Sequence, residues 1–335
     1  MELFWYAVLG AFFATYLVLG GYDYGVGLLL TRADGATGRR RALNALGPFF
    51  LGNEVWLVAT AGILFGAFPM LEGELLSGFY PAVATALAGV MTVTASVQLR
   101  SRAAGERGRY RWDRLITVGS VLAAFGWGAV LAGLLQGVPM DADGHVAGVT
   151  HLLTPFVAAT GLTLVTLVAV HGATFLALRL PGSAAEAAGR TARRLVPVAV
   201  TTVAAATVVG LLAEPVRANA HQPAAAVLLP VLLVTALLVA RAALARRRPG
   251  VAFAATATAL ALPVLLIATT IWPYALISTV DPAASLTVAD AAASPPTLRL
   301  LGWLAAPLLP ALLGFQLMSW WMFRGRIDGR APVYW

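Results

Sequence analysis

The sequence contains no cysteine and no lysine, and only 11% of its 335 residues are charged. Without thiols the chain forms no disulfide, ligates no iron–sulfur cluster and offers no cysteine nucleophile. The charged share is less than half of the roughly 25% usual in soluble domains. A soluble fold of this length needs a polar shell, and these residues do not supply one. All 23 basic residues are Arg, and the net charge is +8. Arginines gathered in one patch would point to nucleic acid, but here they punctuate apolar segments. The first apolar segment opens on "MEL" and lacks a basic n-region. It is also too long for a signal-peptide core, so it reads as a span and not a cleavable leader.

What the sequence does have is apolar length, with 59% hydrophobic residues. A spanning helix needs about 20 apolar residues. Nine segments qualify, roughly 3–30, 45–69, 79–99, 115–137, 152–178, 195–213, 223–240, 251–277 and 299–323. They are too long for the strands of a membrane barrel and lack its period-two alternation. The expected fold is an all-α integral membrane protein, one polytopic domain over residues 1–335.

The connections alternate in character. "TRADGATGRRR", "RSRAAGERGRYRWDR", "RLPGSAAEAAGRTARR", "RAALARRRPG" and the tail "RGRIDGRAPVYW" hold 21 of the 23 arginines. "MLEGELLS", "VPMDADGHVAGVTH", "AEPVRANAHQP" and "DPAASLTVADAAASPP" hold Arg217 alone, with Arg299 at the edge of the ninth span. The positive-inside rule makes the first set cytoplasmic, which predicts an outside N-terminus and a cytoplasmic C-terminus. The polar segment 281–296 is expected to cap the bundle on the outer side. Glycines recur four apart at Gly21/Gly25, Gly62/Gly66 and Gly133/Gly137. That spacing lets helices approach closely in lipid.

Two carboxylates fall inside spans, Asp23 in "GGYDYGVG" and Glu54 in "GNEVWL". A charge at membrane depth costs roughly 2.5–3.5 kcal/mol on insertion scales, so each needs a reason to be there. The span limits put Asp23 about 10 Å and Glu54 about 13 Å from the cytoplasmic face, at 1.5 Å per residue. One reading is a proton path through Asp23, Asn53 and Glu54. The other is a structural polar site in which Asn53, Tyr22, Tyr24 or nearby backbone satisfies the carboxylates.

The same residues carry a family resemblance. "GGYDYGVGLLL", "RRRALNALGPFFLGNEVWLVATAGILFGAFP" and "GFYPAV" resemble the N-terminal half of subunit II of cytochrome bd-type quinol oxidases. "VHGATFLALR" and "SLTVADAAASPPTLRLLGWLAAPLLPALLGFQLMSWWMFRGRI" resemble that family's fifth and ninth helices and the loop before the ninth. The resemblance is collinear over most of the chain. It implies two four-helix bundles plus one peripheral helix, in a bacterial cytoplasmic membrane. It also implies a heterodimer with a haem-bearing subunit I that oxidises quinol and reduces O₂ to water. Hemes b and d and the quinol then belong to the partner, and a small single-helix subunit is compatible with the assembly. This subunit would stabilise the complex, would hold no catalytic residue and no metal, and would bear on cytoplasmic proton uptake.

The sequence departs from that family's pattern. The pattern has Trp-Asp ahead of the "GNEVWL" motif, where this chain has Phe50 and Leu51, so one carboxylate of a helical i, i+3 pair is missing. The third helix keeps Arg100 but has Val93, Thr94 and Gln98 where the pattern is charged and Gly-rich. Both departures weigh against a proton route and towards a scaffold.

Other candidates are weaker. His171 in "VHGATF" is a conceivable haem ligand, because neutral imidazole binds iron, though a packed His is the expectation. His145, His151 and His221 read as solvated. Trp5, Trp112, Trp272, Trp303, Trp320 and Trp321 read as interfacial anchors, Trp56 and Trp127 as packing. The runs at 39–41 and 245–248 attract anionic lipid at about 1 kcal/mol per Arg. A secondary transporter is the alternative function, since polar midspan residues and broken helices occur there too. Nine spans, which do not halve, weigh against it.

Overall fold

The structure, a computed structural model, describes residues 1–142, 145–146 and 148–327. The rest of the C-terminal tail, with Arg330, lies outside the described residues. In chain order the helices are α1 (Glu2–Leu29), α2 (Gly35–Leu46), α3 (Phe50–Ala67), α4 (Pro69–Gly78), α5 (Tyr80–Arg100), α6 (Gly105–Gln136) and α7 (Pro155–Arg179). They continue as α8 (Gly182–Leu212), α9 (Glu214–Ala218), α10 (Pro223–Ala245), α11 (Pro249–Thr270), α12 (Val288–Ala291) and α13 (Pro295–Met322). Among the described residues nine are long and apolar enough to cross a membrane: α1, α3, α5, α6, α7, α8, α10, α11 and α13.

Proline sets many of the starts. It occupies the first turn of α4, α5, α7, α10, α11 and α13, where its missing N–H has no intrahelical partner to lose. Pro197, Pro230, Pro263, Pro307 and Pro310 lie within continuous helices, as spanning helices tolerate.

The span limits shift in three places. The expected second span, 45–69, is two helices: α2 ends at Leu46, and Gly47, Pro48 and Phe49 form a turn before α3. Gly47 keeps helical backbone (φ −40°, ψ −51°), but Pro48 has no N–H to donate one turn back, so the hydrogen-bonded run breaks there. The segment 179–194, expected as a loop, is mostly the start of α8. The Arg-rich segment ahead of the fourth span is likewise the first turns of α6. In both, charged residues extend the helix beyond its apolar length, because hydropathy marks where lipid ends and not where hydrogen bonding ends.

Packing runs through α1. Its second half is buried nearly all round, from Tyr16 to Gly27, and it meets α3, α6, α7 and α11. Neighbouring helices pair as α5 on α6, α7 on α8 and α10 on α11. The glycines matter unequally. A Cβ on Gly25 would strike the backbone of Val168 and Gly172, so α1 and α7 touch main chain to main chain. Gly62 faces open space. By contrast α13 rests on α3 and buries only Leu298.

The segment between α11 and α13 folds as a short antiparallel pair, β1 (Tyr274–Leu276) and β2 (Leu286–Thr287), followed by α12. It is tied down by Val138 N–H to the Ile277 carbonyl (3.0 Å) and Ala293 N–H to the Ala67 carbonyl (2.8 Å). These bonds lay it over the ends of α6 and α3.

Candidate functional site

Tyr22, Asp23 and Tyr24 sit among glycines of α1, all three buried, and α7 approaches closely at Gly25. Asp23 is 3% exposed and Asn53, from α3, 0%. The Asn53 amide nitrogen lies 2.7 Å from the Tyr22 hydroxyl and donates to Asp23 Oδ2 at 2.9 Å. The Leu19 carbonyl is farther, at 3.4 Å. On the other side of α1, Trp127 Nε1 donates to the Tyr16 hydroxyl (2.9 Å), which is paired with the Tyr24 hydroxyl (2.6 Å). Asp23 Oδ1 has no hydrogen-bond partner among the described residues.

Glu54 follows Asn53 but points elsewhere. Consecutive helical residues are about 100° apart, so Glu54 turns towards α5, where the Thr94 hydroxyl donates to its carboxylate. Glu54 is half-buried. The structure thus joins Asp23 with Asn53 and sets Glu54 in a separate contact; no hydrogen bond among the described residues links Glu54 to Asp23. Because α3 starts at Phe50, Glu54 is about 6 Å from the helix start, at 1.5 Å per residue, and not the expected 13 Å. Leu51 is 54% exposed on the same helix.

A third carboxylate escaped the sequence reading. Asp113 of α6 is 0% exposed and takes both Arg39 of α2 (2.8 Å) and Arg100 of α5 (2.5 Å). Arg39 also stacks over the Tyr110 ring at 5.3 Å. The pairing ties three elements at the Arg-rich end. Its signal was the spacing Asp113, Ile116, Ser120, one buried face of a helix, masked by reading "RYRWDR" as a loop.

His171 is fully buried with both ring nitrogens engaged, Nδ1 with the Thr256 hydroxyl (2.7 Å) and Nε2 with the Val18 carbonyl (3.1 Å). Its ring stacks on Phe253 at 4.7 Å. Iron ligation at either nitrogen would require one of these bonds to break. Among the described residues no group of three or more metal-ligating side chains gathers. His145 is exposed beside Glu74. His151 differs from the solvated expectation: it packs edge-on against Phe79 at 5.9 Å, and burial holds its imidazole below the usual range. Trp5 and Trp320 are also packed more than anchored. Trp5 donates to the Leu298 carbonyl at 3.2 Å, and Trp320 stacks on Phe49 at 4.7 Å. Trp303 and Trp321 are exposed, as interfacial residues are.

The sequence model described as cytochrome bd terminal oxidase subunit II matches residues 1–323. The chain belongs to that family. Cytochrome bd ubiquinol oxidase subunit 2 of Bacillus subtilis (strain 168) is 30% identical, over 98% of this chain and 97% of its own length. Cytochrome bd-I ubiquinol oxidase subunit 2 of Escherichia coli (strain K12) is 28% identical, over 98% of this chain and 95% of that one. The solved bd oxidase of Geobacillus thermodenitrificans superposes with a TM-score of 0.71 at 19% identity, covering 96% of this chain and 98% of that one. At that identity the superposition speaks for the fold. The chain is therefore subunit II of a cytochrome bd-type oxidase, a multi-pass membrane subunit of an oxidoreductase complex that works with subunit I. Membership removes the transporter alternative.

Proposed function

We propose that this subunit II is a haem-free scaffold that holds a haem-bearing subunit I through the face made by α3 and α5. The carrying observation is a carboxylate on an otherwise apolar surface. Leu51, Val55, Val58 and Phe65 of α3 are exposed in one stripe, as are Tyr80, Leu87 and Met91 of α5. Between the two stripes sits half-buried Glu54, held by Thr94. Lipid tails cover apolar side chains well but a carboxylate poorly. Beyond the charged first turns of α8, the exposed faces of α8 and α10, with Val208, Leu211, Leu228, Val231 and Leu232, hold no carboxylate and suit lipid.

In this reading hemes b and d and the quinol reside in subunit I, in a bacterial cytoplasmic membrane, and the engaged nitrogens of His171 agree with that. The helices form two four-helix bundles, α1, α3, α5, α6 and α7, α8, α10, α11, with α13 peripheral. Asp23, Asn53 and Glu54 are structural polar residues. A proton path would use the same three, and the half-exposure of Glu54 near the Arg-rich end is what favours it.

Co-expression with a bd-type subunit I and purification through a tag on this chain tests the proposal. The chain alone is expected to be colourless, and the pair to purify near one to one with haem absorbance. Val58→Trp and Met91→Trp should sharply lower haem recovery, because a packed protein interface has no room for an indole. Leu228→Trp, facing lipid, should leave it unchanged. Stoichiometric haem in the isolated chain, or full recovery with both α3 and α5 variants, overturns the proposal.

A further inference from the structure

At the Arg-rich end, the start of α2 and the turn between α5 and α6 enclose a cavity of about 350 Å³. Arg39, Arg40, Arg100 and Arg109 line it, with Thr37 and Glu106. Asp113 lies behind Arg39 and Arg100 and is shared by both. Four guanidinium groups thus face two carboxylates, and the surplus is positive. Arg100 is 3% exposed, which fixes its guanidinium in the wall. The Arg39 Nε lies 2.8 Å from Asp113 Oδ2 without the alignment of a hydrogen bond, so that donor remains unsatisfied.

The backbone adds to this. The first turn of α2, a helix of 12 residues, reaches the cavity at Thr37, and its N-cap Asp34 makes no side-chain capping bond. The first backbone N–H groups of that helix are left for an external acceptor, at its positive end. Guanidinium forks together with helix N–H groups select tetrahedral oxyanions. The apolar span of α5 ends at Arg100, so the cavity stands at the level where a bilayer carries its phosphates.

We propose that this cavity binds a phosphate-bearing anion, supplied either by the head group of an anionic lipid or by a soluble phosphate. The Asp113 clamp shapes the wall, and Arg40 and Arg109 provide charge outside the clamp.

The test uses the intact two-subunit oxidase, with Arg40→Gln combined with Arg109→Gln, which leaves Arg39, Arg100 and Asp113 in place. Complexes are exchanged into phosphatidylcholine bilayers with and without phosphatidylglycerol, and retained phosphatidylglycerol is counted by native mass spectrometry. Lipid-depleted complex is titrated with inorganic phosphate and with pyrophosphate. A lipid site is expected to show one fewer retained phosphatidylglycerol in the double variant. A soluble-phosphate site shows unchanged lipid retention and at least a tenfold weaker affinity for phosphate or pyrophosphate. A charge-matched control, Arg217→Gln with Arg299→Gln, both exposed at the Arg-poor end, should change neither. Equal lipid retention and equal phosphate affinity in wild type and double variant, or the same losses in the control, overturn the proposal.

Discussion

Glu54 and Asp23 were both visible in the sequence as charges within apolar runs, yet their surroundings differ in a way the sequence did not show. Asp23 is sealed and bonded to Asn53, whereas Glu54 is half-buried against Thr94. Residue order said only that Asn53 and Glu54 are adjacent; the helical turn between them sends one to α1 and the other to α5. A structural acceptor and a proton carrier respond differently to Gln, which keeps a carbonyl acceptor but cannot ionise. For Glu54→Gln we expect quinol-driven O₂ uptake per haem close to wild type, with any loss appearing as complex yield. Loss of a relay would slow turnover about tenfold or more, equivalent to 1.36 kcal/mol in the barrier. Such a loss with intact assembly makes Glu54 a proton-path residue. Leu51→Asp restores a carboxylate one turn away on the exposed stripe. It should leave turnover unchanged and lower stability once subunit I covers it. Asp113 carried a signal only in the helical spacing of its buried face; its pairing was not legible, because Arg39 and Arg100 come from two other elements.

Among the elements, all nine spans were legible from apolar length alone, since a bilayer demands that length whatever the packing. Their ends were not. Arg and Glu extend α6 and α8 past the apolar run, and Pro48 divides what hydropathy joined. The small-residue spacing was a partial guide. It marked Gly25, where backbone meets backbone, and also Gly62, where nothing is near. Spacing alone does not reveal which side of a helix has a neighbour. The two sites make a paired prediction. Gly25→Ala puts a methyl within 2.6 Å of the Gly172 nitrogen and against the Val168 carbonyl, so α1 and α7 must separate. Overpacking of this kind costs about 1–3 kcal/mol or more. The purified complex should lose thermal stability or fail to assemble, while Gly62→Ala should match wild type. Thermal shift by size-exclusion chromatography reads both; equal stability of the two variants refutes main-chain contact at Gly25.

For the whole molecule, the arginine pattern acquires a physical frame. The Arg39–Asp113–Arg100 cluster joins the α1–α3 connection to the α5–α6 turn, and Arg179 binds the carbonyls of Phe323 and Gly325 at the end of α13. At the other end, Val138 pairs with Ile277 and Ala293 with Ala67, joining Arg-poor connections to one another. The two classes of loop therefore collect at opposite ends, and the positive-inside rule assigns the Arg-rich end to the cytoplasm. The prediction is an outside N-terminus, with the arginine-lined cavity on the cytoplasmic side. Because the chain has no cysteine, single cysteines report position without background from this subunit. Ala142, exposed in the Arg-poor connection after α6, and Ala104, exposed in the α5–α6 turn, flank one spanning helix. In intact cells an impermeant maleimide should label Ala142→Cys and spare Ala104→Cys until lysis. The reverse pattern would invert the molecule and move the cavity outside. Labelling of both in intact cells would mean that α6 does not cross the bilayer, contrary to its apolar length and deep burial.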